Sequence, residues 1–209
     1  MTALNRTFPP FRALALIALL GLAPQLQGCF PLVAGGAGAT VLALDDRRSV
    51  GAQTEDKEID LRGESRVNDR YGDRAHVSVT SYNRNVLLTG EAPDAAAKAQ
   101  IEKIVREIPN VRGVVNEIQV AGTSSYSARG NDSYLTSKVK ARFIDSDGGF
   151  SANHVKVVTE GSVVYLLGLV TRKEAEAAAE VARTTGGVQK VVRVFEYIEP
   201  PPASPAPSK

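Results

Sequence analysis

Few side chains in this sequence could do covalent or coordination chemistry. There is one cysteine, Cys29, and there are two histidines, His76 and His154. With no second Cys there is no internal disulfide, so packing must supply the stability. The histidines stand at matched positions, each heading an alternating stretch, His76-Val77-Ser78-Val79 and His154-Val155-Lys156-Val157. Residues matched in two copies of one pattern serve the fold far more often than a reaction. Ser124-Ser125 and Thr184-Thr185 have no accompanying His–acid set that would activate a nucleophile. A metal centre would need more Cys or His, and no spacing among the carboxylates suggests one. Gly35-Gly36-Ala37-Gly38 lacks the strand and Gly-Lys-Ser/Thr frame of a phosphate loop. Asp145-Ser146-Asp147-Gly148-Gly149 lacks the length and terminal Glu of a calcium loop. The expectation is a protein that is not an enzyme and holds no cofactor or metal.

The thiol has a telling context. Arg6 and Arg12 precede an apolar run, Ala13 to Ala23, and the small residue Gly28 directly precedes Cys29. Basic, apolar and small segments in that order form a bacterial secretory signal, and the run is too short to cross a bilayer as a helix. Leu26-Gln27-Gly28-Cys29 resembles the lipobox of bacterial lipoproteins. The resemblance implies that Cys29 becomes the first residue and carries acyl chains, palmitate among them. Each buried methylene adds about 0.8 kcal/mol, and more than one chain makes attachment stable. Phe30 stands where Asp retains such proteins in the inner membrane. The implied location is therefore the periplasmic face of the outer membrane, through a lipid anchor. An ordinary signal peptide would leave a stray thiol in an oxidising compartment.

Without residues 1–28 the formal charge falls from +2 to zero, because Arg6 and Arg12 leave and no acid does. The basic balance belongs to the leader, so nothing points to nucleic acid. Residues 29–55 read as the lipidated N-terminus and a Gly-rich tether, although Val41 to Leu44 could instead lie among lipid headgroups. Residues 200–209 form a Pro-rich tail expected to be disordered.

Between tether and tail the sequence contains itself twice. His76 and His154 are 78 positions apart, as are Gly90 and Gly168, and Val111-Arg112-Gly113-Val114-Val115 matches Val188-Gln189-Lys190-Val191-Val192 at 77. A register held this long means two related modules, 56–121 and 131–199, joined by a linker at 122–130. Each reads as helix, alternating strand, turn, second strand ending in glycine, second helix, third strand. Ala97, Ile101, Ile104, Val105 and Ile108 make one apolar helix face. Its counterpart is Ala175, Ala178, Ala179 and Ala182, opened by a Thr171/Glu174 capping box. The fold class is α+β: two tandem α-β-β-α-β modules, each a small three-stranded sheet with its helices on one face.

Val86-Leu87-Leu88-Thr89-Gly90 followed by Val111-Arg112-Gly113-Val114-Val115-Asn116, repeated in the second half, resembles the BON domain. Two such modules behind a lipobox, with Asp46-Arg47-Arg48-Ser49-Val50-Gly51 between, are similar to dual BON-domain outer-membrane lipoproteins. That resemblance implies a non-enzymatic protein that binds anionic, phosphatidylglycerol-like phospholipid and supports outer-membrane integrity. It also implies links to the barrel-assembly machinery and the division site.

The modules diverge on their first helices. At an offset of 76, Ile59 meets Leu135, Arg66 meets Arg142 and Val67 meets Phe143, whereas Glu58 meets Tyr134, Asp60 meets Thr136 and Glu64 meets Lys140. Leu135, Val139 and Phe143 form the expected buried stripe, and Lys138, Lys140 and Arg142 give the second helix a basic side. An aromatic ring at headgroup level with long cations suits an anionic surface. A solvated basic face, with Tyr134 covering the core, is the alternative reading of the same residues. By resemblance, the family's lipid contact falls on this helix, at Tyr134, Leu135, Ser137, Lys138, Lys140, Ala141 and Ile144. A second functional reading is a protein adaptor that docks a barrel-assembly subunit through the acidic first helix or an open sheet edge.

Overall fold

The computed structural model describes residues 46–146 and 149–199. Cys29, the Gly-rich stretch at 35–38 and the tail at 200–209 lie outside the described residues. No helix among the described residues is long and apolar enough to cross a membrane.

In the first module Ser49 Oγ accepts the Ala52 N–H and opens α1 (Val50–Tyr71). A 3-10 turn (Gly72–Arg74) leads into β1 (His76–Tyr82), β2 (Asn85–Ala92), α2 (Ala95–Arg106), β3 (Gly113–Asn116) and β4 (Gln119–Val120). In the second module Ser125 Oγ accepts the Ala128 N–H and opens α3 (Tyr126–Asp145). A 3-10 turn (Ala152–His154), β5 (Val155–Glu160), β6 (Val163–Val170), α4 (Arg172–Arg183) and β7 (Lys190–Tyr197) follow. The capping serines stand at the same offset of 76 as the rest of the helices. They start both helices earlier than the sequence boundaries: α1 begins six residues before 56, and α3 takes 126–130 out of the linker. A serine satisfying first-turn amides outweighs the helix cost of Gly51 and Gly130, both exposed.

Each sheet pairs its first two strands antiparallel and its second and third in parallel. The first sheet differs from the expected three strands. Its third strand pauses where the Glu117 N–H donates to Leu88 O and Ile118 drops into the core, then resumes on β2 as β4. β7 runs unbroken.

On the helix side of the first sheet, Ile59, Val67, Val79, Val86, Leu88, Ile101 and Val105 pack together. On that of the second, Val139, Phe143, Val157, Val164, Leu166 and the alanines of α4 do the same. The other faces of the two sheets cover each other. Tyr82 and Leu87 from the first meet Tyr165, Leu167 and Leu169 from the second in a third core. The order of layers is helices, sheet, sheet, helices. β2 and β6 are therefore buried on both faces along most of their length, which is why β6 reads as an apolar run.

Polar contacts lock the seam. Glu196 accepts from Asn83 Nδ2 at 2.8 Å and Asn85 Nδ2 at 3.2 Å, and Lys156 Nζ donates to Ser81 O at 3.3 Å. The Asp46-Arg47-Arg48 run, read from sequence as tether, is a clasp. Arg47 grips both carboxylate oxygens of Glu174 at 2.8 Å and donates to Leu169 O, all in the second module. Arg48 bonds Asp56 of the first module at 2.8 Å and stacks 4.0 Å from the Tyr82 ring centre.

Two devices occur once per module. A buried aspartate on the first helix holds the hairpin turn. Asp56 accepts from Ser81 Oγ, Asn83 N and Arg84 N, and Asp132 accepts from Gly161 N and Ser162 N. Asn83 and Arg84, like Gly161 and Ser162, have positive φ, the twist of a tight hairpin turn. The glycine ending each second strand lets the first strand approach: a Cβ on Gly90 would lie 2.0 Å from His76 O, and one on Gly168 2.3 Å from His154 O.

Candidate functional site

The fold lays α3 along the outside of the second module with one side in the core. Leu135, Val139 and Phe143 are buried, as the four-residue spacing predicts, and Asp132 joins them to hold the hairpin turn. Leu135 is therefore not available to a lipid surface. It is 2 % exposed, and a Cβ on Gly187 would lie 2.7 Å from its Cδ2.

Two of the three cations between Tyr134 and Phe143 are engaged. Lys138 Nζ donates to Gly186 O at 2.8 Å and lies 5.9 Å from the Tyr134 ring centre. Arg142 Nη1 donates to Val181 O at 2.9 Å and to Thr185 Oγ1 at 2.8 Å. Both tie α3 to the C-terminal end of α4, where carbonyls lack helical partners and the helix dipole favours positive charge. Lys140 is exposed and has no partner among the described residues.

What α3 turns outward is a stripe with few charges. Tyr134 is 63 % exposed and Ile144 75 %, and Ser137, Lys140 and Ala141 are exposed beside them. Tyr126 is 89 % exposed and continues the stripe at its N-terminal end. It stands eighteen residues before Ile144, five whole helical turns, so the two side chains leave the helix in the same direction. Sequence reasoning missed Tyr126 because it fell in the assigned linker; the Ser125 cap was the available signal.

The matched face of α1 has other chemistry. Offset by 76, Tyr134, Lys140 and Ile144 are answered by Glu58, Glu64 and Asn68, all exposed. Glu58 pairs with Arg62 on the surface. Asp60, expected among the outward acids of this helix, points inward instead, accepting the Ser81 N–H at 2.6 Å and facing Lys156 of the second module at 3.9 Å. Burial raises the Asp60 carboxyl above its usual range and lowers the Lys156 amine below its own.

The histidines sit at the seam. His76 Nδ1 is 3.3 Å from Glu91 Oε2, and the buried His154 has Nδ1 3.9 Å from Glu174 Oε1.

A tandem pair of α-β-β-α-β units joined back to back, presenting a convex helix rather than a cleft, defines a class of duplicated α+β modules. The family model for the BON domain matches residues 59–122 and 131–199, and the chain belongs to the BON-domain family. It is 35 % identical over 195 residues to Outer membrane lipoprotein DolP of Haemophilus influenzae, covering 92 % of this chain and 100 % of that one. It is 31 % identical to the 21 kDa hemolysin of Actinobacillus pleuropneumoniae, over 74 % of this chain and 80 % of that protein. Osmotically-inducible protein Y of Escherichia coli is 28 % identical over 55 % of this chain and 58 % of its own length.

Proposed function

We propose that this protein is an outer-membrane lipoprotein, held by acylated Cys29 at the periplasmic face, whose second module lays the outer stripe of α3 on anionic phospholipid and so supports membrane integrity. The likeness to a lipoprotein of that membrane along its whole length supports the location. One observation carries the contact: a face that is Glu58, Glu64 and Asn68 on α1 is Tyr134, Lys140 and Ile144 on α3. An exposed Ile gains up to about 1.5–3 kcal/mol on burial, and a cation near an anionic surface about 1 kcal/mol. The contact is weak by itself and effective only because the acyl anchor keeps the module near the bilayer.

The chain has no tryptophan, so Tyr134→Trp makes a single fluorescent reporter. In the unacylated chain, its emission should shift to the blue with phosphatidylglycerol vesicles and stay unchanged with phosphatidylcholine. A Glu58→Trp variant should respond to neither. Equal responses from both reporters would refute the reading.

A second reading, a protein adaptor, has its own support. β3 and β7 each pair on one side only among the described residues, and a groove between them is lined by Arg112, Val115, Arg193, Val194 and Glu196. Crosslinking in native membranes would favour it if Arg193 captured one protein while Tyr134 captured only lipid.

A further inference from the structure

β1 and β5 lie across the seam head to tail: Lys156, near the start of β5, reaches Ser81, near the end of β1. Each end of the seam brings a histidine against a carboxylate. At the Tyr82 end the protein supplies its own cation, since Arg47 chelates Glu174 beside His154 and, mainly through those hydrogen bonds, holds the Glu174 carboxyl at about 2.

At the other end no side chain does this. His76 heads β1, Glu91 is its register partner on β2, and Glu160 ends β5 of the other module. One ligand atom from each lies within 4.8 Å of the other two. His76 Nδ1 is buried and makes no hydrogen bond. Glu91 Oε2 accepts the Ser124 N–H, and among the described residues neither Glu91 nor Glu160 is paired with a lysine or arginine. Arg129 borders the same recess, but its guanidinium is spent on Ser124 Oγ and O and lies 5.3 Å from the Tyr126 ring centre. Asp132 is committed to the Gly161 and Ser162 amides. Burial, reinforced by the charges of Glu91 and Asp132, lifts the Glu160 carboxyl to about 7.

Independently of the lipid reading, we propose that His76, Glu91 and Glu160 form a divalent transition-metal site, of the Zn2+ class, that bridges the two modules. One imidazole nitrogen and two carboxylate oxygens are three ligands of the kind zinc takes, with a fourth position left for water. Calcium would ask for six to eight oxygens. In a tetrahedral zinc site, ligand atoms stand roughly 3.3 Å apart, from bonds of about 2.0–2.1 Å. The His76–Glu91 pair already has a separation of 3.3 Å, and an oxygen of Glu160 lies within 4.8 Å of both, so binding would need Glu160 to draw in by little more than 1 Å. The recess lined by His76, Ser78, Arg129 and Glu160 gives the ion a way in. A bound ion would do at this end what Arg47 does at the other.

The test uses the chain from residue 29 onward with Cys29→Ser, which removes the lone thiol and keeps every described residue. Zn2+ is titrated calorimetrically against His76→Gln, Glu160→Gln and the surface control Glu58→Gln, with unfolding midpoints in chelator verifying that each variant is folded. The expected result is one equivalent bound, a dissociation constant at least tenfold weaker in the first two variants and unchanged in the control, and a higher melting temperature with metal. Three results would overturn the proposal: no saturable binding, equal affinity in all variants, or loss in His76→Gln with retention in Glu160→Gln. The last would mean that the ion does not bridge the modules.

Discussion

Asp56 and Asp132 are the two buried acids among the described residues, and each holds a turn. Each is buried and spends its oxygens on the amides of a hairpin turn whose residues have positive φ. Removing an acceptor leaves the turn amides without a protein partner, at roughly 1–3 kcal/mol for each group that stays unsatisfied. Asp132→Ala should therefore cost about 3 kcal/mol in urea unfolding. Asp56→Ala should cost more, because Ser81 Oγ and Arg48 each lose a carboxylate contact as well. In the sequence these are two acids among many on polar helices, with no local signal of burial. Only their shared offset of 76 marks them, and that offset becomes informative once the hairpin turns are seen to share a register too. His76, Glu91 and Glu160 were harder still to read. Two belong to one module and the third to its sibling, so no spacing within a module could bring them together.

Among the elements, α3 separates two roles that the sequence had merged. Its basic residues were legible, but which of them are free was not, because the partners of Lys138 and Arg142 are carbonyls on another helix and in its closing turn. Lys138→Ala should lower stability by about 0.5–1 kcal/mol through the lost carbonyl contact. Lys140→Glu should leave stability within about 0.5 kcal/mol and weaken binding to phosphatidylglycerol vesicles by roughly tenfold or more, since it exchanges an attraction of about 1 kcal/mol for a repulsion. Urea midpoints and vesicle co-sedimentation on the same samples check both. The strands were legible in order and approximate extent. What the Val-x-Leu-x-Gly pattern does not say is why it ends in glycine. The carbonyl of the neighbouring strand occupies the place of a side chain, so Gly90→Ala should be among the most damaging single-methyl additions in the chain, and a melting curve would report it.

For the molecule as a whole, the third core is shared by the two modules, and they should therefore unfold together. Val163 to Val170 contains no charged residue, a run that suits a strand covered on both faces, whereas the sequence reading placed helices on one face only and left the second covering layer out. Leu167→Ala should cost about 2–5 kcal/mol and shift a single unfolding transition for both modules; two separate transitions in the unaltered chain would contradict a shared core. The clasp adds an acid-sensitive contribution. Glu174 is held at about 2, below its usual 4.5, so its pairing stabilises the native state fully above about pH 5 and is lost as pH falls toward 2. The stability gap between the unaltered chain and Arg47→Ala should be about 1–2 kcal/mol at pH 7, discounted for partial exposure, and should close in acid.

The clasp also decides how the protein meets a mechanical load. Tension applied at the N-terminal side of residue 46 reaches the Arg47–Glu174 fork before it reaches the first turn of α1. A pull there is thus passed first to the far module, loading the two Arg47–Glu174 bonds before the end of α1 can unwind.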